Sequence, residues 1–211
     1  MKDNLTWEET IQYIRTIPEY GELVEKAYFE ADLPLNVERF KKEDEFIETL
    51  NYLKQYTPND TKILDIGCGN GISSISFALE GFHVTAVEPD PSETIGAGAI
   101  RNLKAHYNLD NLEIYEAFAE DINFNDESFD IVYIRQAMHH ANNLPQFIKE
   151  CSRVLKKDGI LITVRDHVIF NQKDKDWFLE EHPLHRYYGG ENAYTPAEYE
   201  KAMTDANLTI Q

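Results

Sequence analysis

Apolar residues along this chain fall into two alternating rhythms. Near residues 62–66, 82–87, 112–116, 130–134 and 159–165 they form short runs such as Ile63-Leu64 with Ile66, the pattern of strands covered on both faces. Between these runs, near 72–80, 92–106 and 144–155, the spacing turns helical. Strand–helix alternation of this kind predicts an α/β fold, a doubly wound and mostly parallel sheet with helices on both sides. Upstream, Trp7 to Ala31 is amphipathic and interrupted at Pro18, and Val37 to Tyr56 sets Phe40, Phe46, Ile47, Leu50 and Leu53 on one helical face. These segments are expected to pack as helices ahead of the sheet. A last helix is expected over Pro196–Asn207, followed by Leu208-Thr209-Ile210-Gln211 as the beginning of a sixth strand.

The first strand runs into Gly67-Cys68-Gly69-Asn70-Gly71, and a helix follows from Ile72. Glycines at alternate positions let the backbone turn sharply and approach a ligand where a Cβ would collide. The helix then points free N–H groups and the positive end of its dipole at whatever lies above. A dinucleotide fingerprint would need a third glycine at position 72, where this chain has Ile72, which counts against a nicotinamide-dependent oxidoreductase. Asp65, two residues before the first glycine, favours a ligand carrying positive charge. Glu88 ends the second strand about 20 residues beyond the loop, where a carboxylate can accept hydrogen bonds from both ribose hydroxyls.

Three further blocks keep the glycine loop company. Ile114 to Phe124 forms a third strand and its loop. Ser128-Phe129-Asp130-Ile131-Val132 opens a segment closing on Met138-His139-His140. Val154-Leu155-Lys156-Lys157-Asp158-Gly159-Ile160-Leu161 is a helix–turn–strand passage. In this order the blocks resemble the class I S-adenosylmethionine-dependent methyltransferases, of the small-molecule, methyltransferase type 11-like kind, over roughly residues 40 to 165. The resemblance implies that S-adenosylmethionine, leaving as S-adenosylhomocysteine, is held by Asp65, Gly67, Cys68, Gly69, Gly71, Glu88, Pro89, Ala119, Glu120, Arg135 and Gln136. Two departures stand out: Phe118 where the family usually has Asp, with Glu120 as a substitute for the adenine amine, and Asp158 in place of the first glycine of the L-K-x-G-G pattern. The family's sheet ends in an antiparallel hairpin, so a seventh strand is expected to be absent from this chain. A cut chain is the favoured explanation, with another segment or a second subunit as the alternative.

Composition narrows the partners. At 211 residues with 42% hydrophobic content the chain is expected to form a single domain, divided into a helical cap (1–58), a cofactor core (59–167) and a substrate and C-terminal segment (168–211). A formal charge of −18 repels a polyanion, which excludes nucleic acid as the expected substrate. No N-P-P-Y-like element follows the fourth strand, which argues against base amines and glutamine side chains as acceptors. Cys68 and Cys151 form no C-x-x-C pair and are expected to be small buried residues in a reducing compartment. No apolar run approaches the roughly 20 residues that span a bilayer, and no secretory leader is visible. A cytoplasmic protein is expected.

The candidate chemistry gathers at the carboxyl ends of the strands. His167, in the Arg165-Asp166-His167 triplet after the fifth strand, titrates near neutral pH in its ordinary state and is the leading candidate base, with His139 and His140 as weaker candidates. The polar and aromatic stretch Glu181–Thr195 is expected to be a loop that caps an acceptor through His185, Arg186, Tyr187, Tyr188 and Tyr194, or that forms an interface, a homodimer included. His182 and His185 have a spacing seen in metal sites but no evident third ligand, so no metal is expected. The function expected is methyl transfer to an oxygen or nitrogen of a small-molecule acceptor. The alternative from another class is a non-catalytic S-adenosylmethionine or S-adenosylhomocysteine module with a protein partner.

Overall fold

The computed structural model describes residues 5–56 and 60–211. The expected boundary between residues 58 and 59 lies outside the described residues. Four helices come first: α1 (Trp7–Ile14), α2 (Gly21–Lys26), α3 (Leu33–Phe40) and α4 (Asp44–Tyr56). The interruption expected at Pro18 is a short 3-10 turn, Pro18–Tyr20, in which the proline occupies the first turn and has no N–H to leave unpaired.

The core then alternates: β1 (Lys62–Ile66), α5 (Ile72–Leu79), β2 (His83–Val87), α6 (Ala97–Tyr107), β3 (Leu112–Tyr115), β4 (Phe129–Arg135), α7 (Leu144–Val154) and β5 (Leu155–Val164). All neighbouring strands are parallel, in the order β3-β2-β1-β4-β5. The order reverses between β1 and β4, which opens a crevice at the carboxyl ends of those strands. Alternate side chains of β1 feed different layers. Ile63 joins a cluster with Val37, Phe40, Phe46, Ile75, Phe77 and Tyr133, whereas Leu64 and Ile66 join Phe147, Ile148, Cys151, Tyr199 and Ala202 on the opposite face. The chain continues through α8 (Gln172–Glu181), α9 (Pro183–Tyr187) and α10 (Pro196–Asp205). A third cluster joins Ile11, Ile14 and Val24 of the N-terminal helices to Ile95 and Leu184, which lies in α9.

Four expectations are corrected. The helix expected from residue 92 begins at Ala97, because Asp90 holds the preceding segment in a turn: its Oδ1 accepts from the Ser92 amide at 2.8 Å and its carbonyl from the Ala97 amide at 2.7 Å. The strand expected from 159 begins at Leu155, with a bulge between the pairs Phe129–Leu155 and Ile131–Ile160. Asp158 sits in that bulge at φ +65°, a conformation that explains a glycine preference at this place. The stretch 181–195 is not a continuous loop, since it contains α9. Leu208–Gln211 form no strand; Leu208 instead packs partly buried against the α7–α10 cluster.

Candidate active site

The glycine loop is built by left-handed backbone at Gly67 (φ +65°), Gly69 (+54°) and Gly71 (+82°). A Cβ on Gly67 would stand 2.4 Å from that of Ala137, so the β1 and β4 turns can meet only with glycine there. At Gly69 the nearest atom to such a Cβ is the Ile95 carbonyl at 3.9 Å, which leaves the loop open on its outer side. Gly71 caps α5. Cys68 is buried against the Val87 carbonyl, and Asn70 donates to the Tyr28 carbonyl at 2.7 Å, tying the loop to the N-terminal helices.

The two acids beside the loop differ. Asp65 is fully buried, and its Oδ2 accepts from Ser73 Oγ at 2.7 Å and Ser74 Oγ at 2.6 Å at the start of α5. Burial pushes it up to about 6 despite those hydroxyls. Its Oδ1 has no partner. Glu88, at the end of β2, accepts from the Gly69 amide at 2.7 Å and the Asp90 amide at 3.0 Å. Burial raises it to about 7, against the pull of those two N–H groups. Pro89 beside it is exposed.

Other sequence-predicted residues have structural partners. Ala119 is buried, whereas Glu120 Oε1 accepts from the Asn142 and Asn143 amides at 2.9 and 3.2 Å, capping the approach to α7. Phe118 is 63% exposed. Arg135 extends toward α4, where Glu45 accepts from its Nε at 2.5 Å, and its guanidinium lies over Phe40 and Tyr28. Gln136 follows at φ +51°, its amide bonded to the Val164 carbonyl and its side chain to Arg135.

After β4 and β5 comes a histidine-rich cluster. His139 Nδ1 lies 2.9 Å from Asp166 Oδ1, which also accepts from the His139 amide at 3.1 Å. Burial would lower the His139 imidazole, but Asp166 and Glu191 outweigh it and hold it above its ordinary value. One atom from each of His139, His140 and Glu191 lies within 4.8 Å of the others, and His182 Nδ1 is 3.8 Å from Glu191 Oε1. The His182 spacing was visible in the sequence, but its partners come from the 3-10 turn Met138–His140 and from Glu191 rather than from a neighbour in the chain. His167 packs against the rings of His139, Phe178 and His182, and burial with the neighbouring imidazoles pushes it down to about 4. It is neutral at pH 7 and a weak base.

The predicted acceptor residues divide. Tyr187 packs edge-on against Tyr13, and Tyr188 against Trp7, so both fasten α9 to α1. Tyr194 donates to the Ala141 carbonyl at 2.7 Å and packs on Tyr199. Arg186 reaches the Glu180 carbonyl, and His185 Nδ1 is buried without a partner.

A family profile described as a methyltransferase domain matches residues 64–163, from β1 to β5. A ubiquinone biosynthesis O-methyltransferase of Rickettsia prowazekii is 30% identical over 160 residues, which cover 71% of this chain and 59% of that protein. The crystal structure of the YcgJ protein from Bacillus subtilis has a TM-score of 0.66 at 23% identity, covering 76% of this chain and 68% of that one. A putative methyltransferase of Bacillus halodurans gives 0.63 at 26% identity, covering 75% and 68%. This chain belongs to the S-adenosylmethionine-dependent methyltransferases. The chain spans 59% of the length of its Rickettsia relative. Among its described residues no helix is long and apolar enough to cross a membrane.

Two residues of the candidate site carried no sequence signal of their place in it. Glu45 lies 90 residues from its partner Arg135, and no local pattern links them. Glu191 was visible only as one acid within a polar stretch.

Proposed function

We propose that this methyltransferase binds S-adenosylmethionine over Gly67–Gly71 and transfers its methyl group to an oxygen or nitrogen of a small metabolite. The observation that carries this is Glu88: its carboxylate ends β2 and is bonded to the amide of Gly69, the glycine at the middle of the loop. That arrangement suits the paired hydroxyls of a ribose. The bound donor would supply a methyl group already activated on a sulfonium, so the protein's main task is to align an acceptor. The buried carboxylates of Asp65 and Glu88 lie close to the loop and favour a cation over a phosphate.

An oxygen acceptor is the better supported choice, because the Rickettsia relative is an O-methyltransferase. His167 contributes little as a base at pH 7, which leaves acceptor activation to the neighbouring His139–Asp166 cluster. The formal charge of −18 and the absence of an N-P-P-Y-like element support a small molecule over nucleic acid. Two buried free cysteines fit a reducing, cytoplasmic compartment.

Calorimetry with S-adenosylhomocysteine tests the donor site. The parent should bind, and Gly69→Val should bind at least 100-fold more weakly with an unchanged far-UV circular dichroism spectrum, since valine is strained at φ +54° and fills the open side. Equal affinities for parent and variant would refute the assignment.

A further inference from the structure

Glu191 is a buried carboxylate ringed by imidazoles that favour its charge without bonding to it closely. Its side chain is 3% exposed, and its Oε2 has no hydrogen-bond partner. Around it stand three imidazoles: His139 Nε2 at 3.7 Å and His140 Nδ1 at 3.9 Å from Oε2, and His182 Nδ1 at 3.8 Å from Oε1. These distances exceed hydrogen-bond range, so the imidazoles do not satisfy the carboxylate directly. His182 Nδ1 is itself buried without a partner.

The same distances suit donors that share an ion. Ligands about 2.0–2.2 Å from one cation in tetrahedral geometry are about 3.3–3.6 Å apart. His139 and His140 stand within a few tenths of an ångström of that separation from Glu191, and the three ligand atoms, all within 4.8 Å of one another, would draw together around the ion. We propose that His139, His140 and Glu191 form a three-ligand binding site for one divalent first-row transition-metal ion of the zinc class. Mixed imidazole and carboxylate donors select such an ion over magnesium or calcium, which take oxygen ligands.

The surroundings match a metal centre. His139 turns its other ring nitrogen to Asp166 at 2.9 Å, the carboxylate–histidine pairing that fixes the tautomer and orientation of a ligating imidazole. His139 is 2% exposed and Glu191 3%, whereas the His140 side chain is 41% exposed, so the centre is closed on one side and accessible on the other. The cluster also lies on the working edge: Ala137, under Gly67, is two residues before His139, and Asp166 follows β5. An ion there could hold an acceptor oxygen and favour its deprotonation, the task for which His167 is poorly suited. That use rests on the methyl-transfer function proposed above, whereas the ion site does not.

Cobalt(II) titration of the chelator-stripped full chain tests the site, read by ligand-field absorption, with zinc displacement followed by calorimetry. The parent should take up one equivalent. Glu191→Gln, nearly isosteric, should weaken binding about 100-fold, and Asp166→Asn about tenfold with a shifted cobalt spectrum, because it acts through His139. His83→Ala, outside the cluster, should bind as the parent does. Circular dichroism checks that each variant folds, and His140→Gln, at the exposed ligand, replaces Glu191→Gln if the latter does not. No absorption from the parent, or parent-like affinity in the folded cluster variants, overturns the proposal. Titrating the stripped protein with S-adenosylhomocysteine separates the two ideas: donor binding without cobalt binding sinks only the ion site, and the converse sinks only the donor site.

Discussion

At the scale of single residues, Glu88 offers the sharpest test because its environment works against its charge. Burial raises it to about 7 from an ordinary value near 4.5, although two amides favour the ionised form. Between those values the folded protein holds a proton that the unfolded chain has lost, so this group's contribution to stability falls as pH rises through that window. A ribose donating two hydroxyls prefers the carboxylate, so binding must expel the proton below about pH 7. S-adenosylhomocysteine affinity should therefore rise with pH, by up to about tenfold per unit, and level off above about 7. Glu88→Gln should bind more weakly and lose that slope. A parent affinity that is flat from pH 5.5 to 7 would remove Glu88 from the ribose site. The position of Glu88 was legible in the sequence because strand length and loop spacing fix it. The partners of Asp65 and Glu120 were not: the serines that hold Asp65 and the amides that hold Glu120 depend on how α5 and α7 meet the sheet.

At the scale of elements, the five core strands expected from the apolar runs are present, because a run covered on both faces has few alternatives to a parallel sheet, whereas the sixth expected from Leu208 is not. The misplaced boundaries, at α6 and β5, lie where a side chain or a bulge overrides local periodicity. Asp90 delays α6, and the left-handed Asp158 lets β5 begin before its glycine. The attachment of α4 to the working edge left no local signal at all. It depends on Glu45, which receives Arg135 Nε at 2.5 Å and Arg165 Nη1 at 3.3 Å. The Arg135 side chain is 9% exposed, so removing Glu45 strands a largely buried guanidinium. Glu45→Ala should cost about 3 kcal/mol in urea unfolding, and Glu45→Gln less, because the amide oxygen still accepts. A loss below about 0.5 kcal/mol for the alanine variant would show that the clamp holds nothing.

At the scale of the whole molecule, the order of elements implied the sheet, but not the contact between the two ends of the chain. Trp7 with Tyr188 and Tyr13 with Tyr187 bring α1 onto α9 across more than 170 residues, and sequence periodicity carries no trace of such a meeting. Composition did carry one global property. With 38 acidic against 20 basic residues, the folded chain gathers a net −18 into a smaller volume than the unfolded chain does, and the resulting self-repulsion opposes folding. Several of its ion pairs, such as Lys26–Glu22 and Lys201–Asp205, are exposed and contribute little, so their screening by salt costs little. Screening the net charge acts the other way, since a Debye length of about 30 Å at 0.01 M shrinks to about 8 Å at 0.15 M. The melting temperature should therefore rise by a few degrees between about 0.01 and 0.15 M sodium chloride, followed by circular dichroism at pH 7.5. A fall over that range would mean that local ion pairs, the Glu45 clamp among them, outweigh the global repulsion.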